Sequence, residues 1–241
     1  MQHFKDIVNH RRAVREYDAN QSLDPKLVKE CLELSQLAPS SSNMQLYEFY
    51  HITDAALLDQ LAKACLSQQA ATSAQQMVVF VTRQDHYAKR AKAALAFERG
   101  NIKRYSPESR QAARIKRIER YYGVTMPMIY RTNFGVANAR KLVFSTIQKF
   151  KPVYDRVSAT DVRIMVHKSC ALAAQTFMLA MSAAGADTCP MEGFDSKMVK
   201  NLLNLPDAAE INMIISCGYR TDNGVWGELF RVPFDEVYRK L

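Results

Sequence analysis

The strongest constraint on the fold is one long helical pattern, which covers about residues 159–184. Ser158 and Asp161 form a capping box at its start, and Gly185 provides its stop. Apolar periodicity also predicts an opening helix around Phe4 to Val8 and several more helices along the chain. One of these begins at Asp24-Pro25, and the others span about residues 57–66, 86–98, 108–122 and 134–150.

Three segments have the composition of strands. Met77 to Thr82 is a compact β-branched run of the kind found in buried strands. Tyr47 to Ile52 and Ile211 to Cys217 have similar patterns. Helices therefore far outnumber strands, and the chain is predicted to fold as an α+β protein.

The length and charge of the chain limit its organisation and its partners. With 241 residues and 48% hydrophobic content, residues 1–241 can build one globular domain around a large core. No internal repeat and no Gly/Ser/Pro-rich linker divides the sequence. The 33 Lys+Arg against 24 Asp+Glu give a net charge of +9. This favours an anionic partner, which charge alone does not identify as a phosphate-bearing cofactor, an acidic substrate, nucleic acid or a membrane surface.

The five cysteines are widely spaced, odd in number and mostly set in apolar runs. No CxxC pair or zinc pattern is present, so they are predicted to be reduced core thiols and no metal site is expected. Met1 to Arg12 carries no apolar stretch of signal-peptide length, and no run approaches the roughly 18 apolar residues of a membrane helix. We therefore expect a soluble cytoplasmic protein that does not bind membranes.

Three segments carry candidate binding chemistry. The first is Arg11 to Arg15, in which three guanidinium groups follow a helix; such groups match phosphate oxygens, although a solvated basic helix end has the same pattern. The second is Ala38 to Gln45, a loop with three hydroxyls and two amides that can bind a polar ring edge or a ribityl chain, or simply end a helix. The third is Cys189 to Asp195, where Gly193 allows close backbone approach to a flat ligand. Without that context it is a loop leading to a helix capped by Asp195.

Taken in order, these segments and the C-terminus resemble the nitroreductase family of FMN enzymes. The resemblance covers nearly the whole chain apart from a middle excursion, and each motif is weak alone but specific in combination. Its motifs are Arg11 to Tyr17, Ala38 to Phe49, Pro190 to Asp195, Gly218-Tyr219-Arg220 and Arg231 to Tyr238.

The resemblance implies a nitroreductase-like fold and a set of cofactor contacts. The fold would be a small mixed central sheet of four or five strands surrounded by helices, in a homodimer whose interface includes the helix after Ser158. The FMN phosphate and pyrimidine side would be held by Arg11, Arg12, Ala13, Arg15 and the C-terminal Arg231. A loop given by the second subunit would comprise Pro39, Ser40, Ser41 and Asn43. The backbone against the reactive edge of the ring would be that of Pro190, Met191, Glu192 and Gly193.

The chain also departs from the family pattern. The family commonly has Ser where Ala13 stands and often a Lys where Leu229 stands, so Arg220 is a candidate replacement for a lost contact. The family position that precedes the second strand falls somewhere in Ser67 to Gln69, which leaves the ribityl and O2 contacts open.

The middle excursion, about residues 100–157, is both basic and aromatic, and two interpretations of it differ. It can form a lid over the flavin that selects the acceptor. Alternatively, Lys and Arg interleaved with Tyr can bind nucleic acid or another anionic surface. Ile115, Ile118 and Tyr121 lie at helical spacing with arginines between them, which favours an amphipathic helix with a solvated face, and we expect no nucleic-acid partner.

The function implied is that of an FMN-dependent oxidoreductase. It would transfer reducing equivalents from NADH or NADPH to a small electron-poor acceptor, in two steps through the flavin. Nitroaromatics, quinones, enones and activated rings all remain open as acceptors. Because the cofactor supplies the chemistry, no catalytic side chain is nominated.

Overall fold

Four strands form the central sheet: β1 (Tyr47–Ile52), β2 (Gln76–Thr82), β3 (Asp187–Met191) and β4 (Glu210–Gly218). The computed structural model describes residues 1–131, 143, 144, 146–150, 152 and 154–241. The strand order is β1-β2-β4-β3, and all three pairs are antiparallel. A parallel contact is added by the bridge between Ala13 and Thr188. The predicted α+β class is therefore confirmed, with four strands.

Helices surround this sheet on both faces. Those before the middle excursion are α1 (Gln2–His10), α2 (Pro25–Ser35), α3 (Ala55–Ala64) and α4 (Gln69–Thr72). α5 (Tyr87–Tyr105) leads into the excursion, which contains α6 (Glu108–Arg120) and α7 (Met126–Tyr130). After it come α8 (Ala159–Ala183), α9 (Ser196–Leu202) and α10 (Phe234–Val237). The helix predicted at about 134–150 falls largely outside the described residues.

The strand predictions succeeded where the strand is β-branched and buried. All seven residues of β2 are buried, as its composition indicates. The loop prediction for Cys189 to Met191 is wrong, because these residues belong to β3. The strand tolerates Pro190 because it lies at the edge of the sheet, where a missing N–H leaves no central ladder incomplete. The predicted cap at Asp195 is confirmed, since its carboxylate accepts a hydrogen bond from Met198 N at 2.9 Å.

The long helix α8 is the core helix of the fold. Among the described residues it is the one helix long and apolar enough to cross a membrane, but it packs instead against α1, α2 and the sheet. Its fully buried side chains include Phe177 and Met181. The predicted capping box is present: Asp161 N donates to Ser158 Oγ at 3.1 Å, and Ser158 N donates to Asp161 Oδ2 at 3.2 Å.

This cap gives a stability prediction. Ser158→Ala should lower the free energy of unfolding by about 1 kcal/mol, because it leaves a helix N–H without its acceptor. Chemical denaturation at one fixed protein concentration measures this. Thr160→Ala, an exposed change two positions into the same helix, is the matched control. Equal stability of the Ser158 and Thr160 variants would contradict the role given to the cap.

The middle excursion begins at the end of α5, which forms a helical hairpin with α6, and it continues into the short helix α7. The helix predicted at 86–98 extends to Tyr105, because Ser106-Pro107 is the first strong break. The π-helical turn Tyr121–Thr125 joins α6 to α7. Ile115 and Ile118 are half-buried while Arg114 and Arg117 are exposed, so the amphipathic pattern of α6 is confirmed. Binding of nucleic acid by the exposed face of α6 remains the alternative to a lid over the flavin.

Candidate functional site

The N-terminal arginines are positioned by the end of α1. The helix ends at His10 and the chain turns extended at Arg11, then runs beside β3. Val14 N donates to Thr188 O at 3.2 Å, and the Val14 side chain is fully buried. Because alternate side chains of an extended segment point in opposite directions, burial of Val14 leaves Arg15 on the opposite side of the segment, where it lines a cavity.

The C-terminal segment meets this turn. Arg15 N donates to Gly224 O at 2.7 Å, and the Arg15 guanidinium lies 5.8 Å from the centre of the Trp226 ring. Arg12 Nη2 donates to Gly227 O at 3.1 Å. A cavity of about 310 Å³ is enclosed between the two segments. It is lined by Arg11, Arg12, Ala13, Arg15, Val225, Trp226, Glu228, Leu229, Phe230 and Arg231.

We call Arg11, Arg12, Arg15 and Arg231 the arginine cluster. Burial lowers the pKa of Arg11, and repulsion from Arg231 and Arg12 lowers it further. In the described part of the chain, none of the four guanidinium groups forms an ion pair with a carboxylate, even though Glu228 lines the same cavity. Cationic groups held close together without a counter-ion favour binding of an anion, so the arginine cluster is a candidate anion site.

Arg220 does not belong to this cluster. Its guanidinium pairs with the buried carboxylate of Asp187, with Nε donating to Oδ1 at 2.8 Å, and also donates to His10 O at 2.8 Å. Its backbone N–H donates to Asp187 Oδ2 at 2.9 Å. These bonds hold the side chain on β3 and outside the lining of the arginine cavity, so the structure does not support Arg220 as a replacement for the missing family lysine.

The second part of the site is the ring loop, Pro190 to Gly193, which begins in β3 and leaves the sheet at Glu192. Cys189, just before it, is fully buried, and burial raises the pKa of its thiol despite nearby Arg11 and Arg15. The loop is thus continuous with the strand beside the arginine cluster. Glu192 and Gly193 are exposed, so their backbone is accessible to a ligand.

Gln68 holds the ring loop in place, and the sequence alone did not identify it. Its Nε2 donates to Gly193 O at 2.8 Å and to Cys65 O at 3.0 Å. Leu66 and Ser67 before it both have left-handed backbone, with φ of 59° and 52°. Such a conformation is costly for residues other than glycine and is kept where a loop must take a fixed path. Within Ser67 to Gln69, Gln68 is the residue whose side chain bonds the ring loop.

The serine loop, Pro39 to Asn43, lies apart from the other two segments. It precedes β1, and β1 and β3 are opposite edges of the sheet, roughly 14 Å apart at about 4.8 Å per strand spacing. Ser41 N donates to Ser169 Oγ of α8 at 3.1 Å, and Ser40 Oγ accepts from Gln45 N at 3.1 Å. Within one chain the structure joins the arginine cluster to the ring loop but not to the serine loop.

The sequence matches one protein family over most of its length. A model of the Nitroreductase family matches residues 8–219. The Bacillus subtilis protein MhqN, provisionally named an NAD(P)H nitroreductase, is 28% identical over 236 residues, which cover 98% of each chain. Protein DrgA of Synechocystis is 24% identical over 220 residues, which cover 90% of this chain and 84% of DrgA.

Solved structures share the fold. The crystal structure of ydfN from Bacillus subtilis, provisionally a nitroreductase, superposes over all of both chains with a TM-score of 0.73 and 22% identity. A provisional nitroreductase from Exiguobacterium sibiricum, solved in complex with FMN, has a TM-score of 0.69 and 19% identity, covering 99% of this chain and 97% of its own. With the family model matching most of the sequence, the chain belongs to the nitroreductase family.

Proposed function

We propose that this protein is an FMN-dependent oxidoreductase that uses NADH or NADPH to reduce a small electron-poor acceptor such as a nitroaromatic or a quinone. The observation that carries the proposal is the arginine cluster. Four guanidinium groups line one cavity, and in the described residues no carboxylate neutralises them. An FMN phosphate, with a charge of about −1.5 to −2, is an anion suited to such a site.

The residues fit the rest of the group as well. The ring loop continues directly from the strand beside the cluster, which supports a single ligand that contacts both the guanidinium groups and Gly193. Gln68 fixes the orientation of the Gly193 carbonyl and thereby of the backbone that faces the ring. FMN, when bound, would take two electrons from NADH or NADPH and pass them to the acceptor. The chain's part is to hold the phosphate, orient the ring and limit access, so no catalytic side chain is proposed.

We also propose a homodimer, because one chain leaves both a site and a surface incomplete. The serine loop lies away from its own arginine cluster, as a loop used by a partner would. Ile164 and Leu172 of α8 are 42% and 48% exposed, which supports α8 as part of the interface. Burial between copies would remove these apolar side chains from water.

The C-terminal arm, residues 226–241, supports the same proposal. Many of its large apolar side chains are exposed, including Phe230, Phe234 and Val237 at 79%, 69% and 67%. On the outer edge of the sheet, a groove of about 450 Å³ runs between β1 and α2. An arm from a second copy would cover this groove, and its own apolar side chains would be removed from water there.

The reaction itself can be tested by steady-state kinetics. With FMN-loaded protein, the rate of NADH or NADPH oxidation is measured over several fixed concentrations of menadione. Two-step transfer through the cofactor predicts parallel double-reciprocal lines, because the first product leaves before the acceptor binds. Intersecting lines would contradict this order, and no oxidation with either nicotinamide would contradict the activity.

Gly193 gives a local test of the ring loop. A Cβ at this position would lie 3.2 Å from Gln68 Nε2, so Gly193→Val should displace the bond that orients the loop. We expect at least a tenfold loss of NAD(P)H oxidation that saturating FMN does not restore. The control is Gly123→Val, where an added Cβ meets nothing within 4 Å. If saturating FMN fully restores NAD(P)H oxidation by Gly193→Val, the ring loop does not lie at the reacting end of the site.

The cysteines are in keeping with a cytoplasmic location, which we also propose. All five are free and buried, as a reducing compartment permits. Burial raises the pKa of Cys31 and Cys65 to about 11, so these thiols stay protonated and unreactive at neutral pH.

A further inference from the structure

A second cavity, of about 310 Å³, lies between the serine loop, the middle excursion and α8. We call it the tyrosine pocket. Its described lining is aromatic, aliphatic and thioether in character, with hydroxyl groups as its polar side-chain groups and no charged side chain. It is lined by Ser41, Ser42, Tyr121, Thr125, Met126, Met128, Ile129, Tyr130, Phe144, Tyr154 and Met165. This volume lies at the lower end of the range found for small-molecule sites.

Two tyrosine hydroxyls in the pocket have poor acceptors. Tyr130 is only 2% exposed, yet its Oη is 3.5 Å from Ser41 O and 4.0 Å from Met165 Sδ. Tyr154 Oη lies 3.6 Å from the same sulfur. A thioether is a weak acceptor, and Met165 Sδ already receives the Ser41 hydroxyl at 2.9 Å. A buried hydroxyl with such partners gains when a ligand oxygen takes their place.

The hydroxyls are donors at neutral pH. Burial raises the pKa of Tyr130, and burial together with Asp161 raises the pKa of Tyr154, so both stay protonated. A ligand oxygen placed near Met165 would accept from both. The apolar wall would pack against a flat ring but would not compensate a charge, since burying an unpaired anion is costly.

We propose that the tyrosine pocket binds the acceptor and selects uncharged rings that carry a hydrogen-bond-accepting oxygen, with Tyr130 and Tyr154 as its specificity-determining residues. The inference rests on the proposed function, because Ser41 belongs both to this pocket and to the loop that would face the partner's FMN. It goes further in assigning acceptor choice to these two hydroxyls. It also predicts rejection of anionic ring compounds of the same size.

The test compares binding of 1,4-naphthoquinone and 1,4-naphthoquinone-2-sulfonate by equilibrium dialysis against the protein as purified. Dialysis needs no turnover, so it measures quinone binding by the pocket even if the proposed reaction is wrong. We expect the uncharged quinone to bind at least tenfold more tightly. Tyr130→Phe keeps the ring and should weaken naphthoquinone binding about 3- to 10-fold through loss of one hydrogen bond. Tyr105→Phe, a change at a 79% exposed position, should have no effect.

A second variant and a second readout separate the outcomes. Met128→Lys adds a cation to the pocket wall at a partly exposed position. It should reduce the difference in affinity between naphthoquinone and its sulfonate. The absorption of bound flavin should be the same in all variants and the parent. Equal binding of the two quinones by the parent, or unchanged naphthoquinone binding by Tyr130→Phe, overturns the proposal. Loss of flavin from Tyr130→Phe also overturns it, because the pocket would then serve the cofactor.

Discussion

Arg11→Ala and Arg231→Ala should each weaken FMN binding about 10- to 100-fold. Each arginine would make a charge-assisted contact to the phosphate worth about 1.5–3 kcal/mol. The two residues come from opposite ends of the chain, and Arg231 is close enough to lower the pKa of Arg11. Because the phosphate is far from the reacting part of the ring, a variant saturated with added FMN should recover most of its turnover.

The measurement is the FMN dissociation constant and the reconstituted rate of NAD(P)H oxidation. Arg117→Ala, at an exposed position of α6, removes the same charge from elsewhere and should leave FMN binding unchanged within about twofold. If Arg11→Ala and Arg231→Ala both bind FMN as tightly as the parent, the phosphate lies elsewhere. Arg12 and Arg15 are then the residues to examine, because Arg220 is bound to Asp187.

Deleting residues 233–241 should convert the dimer to a monomer and remove its FMN. The deletion keeps Arg231 but takes away Phe234, Val237 and Tyr238, which lie exposed on the arm. Without a partner, the arginine cluster and ring loop of one chain would lack the serine loop of the other. The parent should therefore bind FMN at least 100-fold more tightly than the truncated chain. Light scattering gives the mass, and FMN absorption gives the occupancy.

Phe234→Ser is the point variant for the same prediction, with Tyr105→Ser as its matched control. Both positions are exposed and aromatic in one chain, but only Phe234 belongs to the arm. We expect the Phe234 variant to dissociate at a higher protein concentration than the parent and the Tyr105 variant to match the parent. A truncated chain that is monomeric and still holds FMN would contradict the prediction, because the cofactor site would then be complete in one chain.

The elements predicted well are those with local signals. The ends of α2 and α8 follow from capping residues, and both caps form, since Asp24 accepts from Lys26 N and Ser158 from Asp161 N. β1 was predicted with its observed bounds. In contrast, β3 has few β-branched residues and contains Pro190, so its own sequence indicates a loop. It is a strand because β4 offers it a partner, which is a tertiary effect.

The candidate site shows the same division. Three arginines near one another are visible in the sequence, but their approach to Arg231 depends on contacts such as Arg15 N to Gly224 O, across 209 positions. Only the family resemblance brought the two segments together. Gln68 could be placed only to within three residues, because nothing local identifies which amide faces Gly193. Arg220 had the right chemistry for a phosphate but a stronger partner in Asp187, which the sequence does not reveal.

The proposed cofactor is identified by denaturing the purified protein and analysing the ligand that it releases. We expect a yellow protein with flavin absorption, from which mass spectrometry recovers FMN at one molecule per chain. Arg11→Ala and Arg231→Ala should carry less FMN when purified in the same way, while Arg117→Ala should match the parent. A colourless protein that also fails to bind added FMN, or one that releases a different cofactor at one per chain, would contradict FMN as the cofactor of this protein.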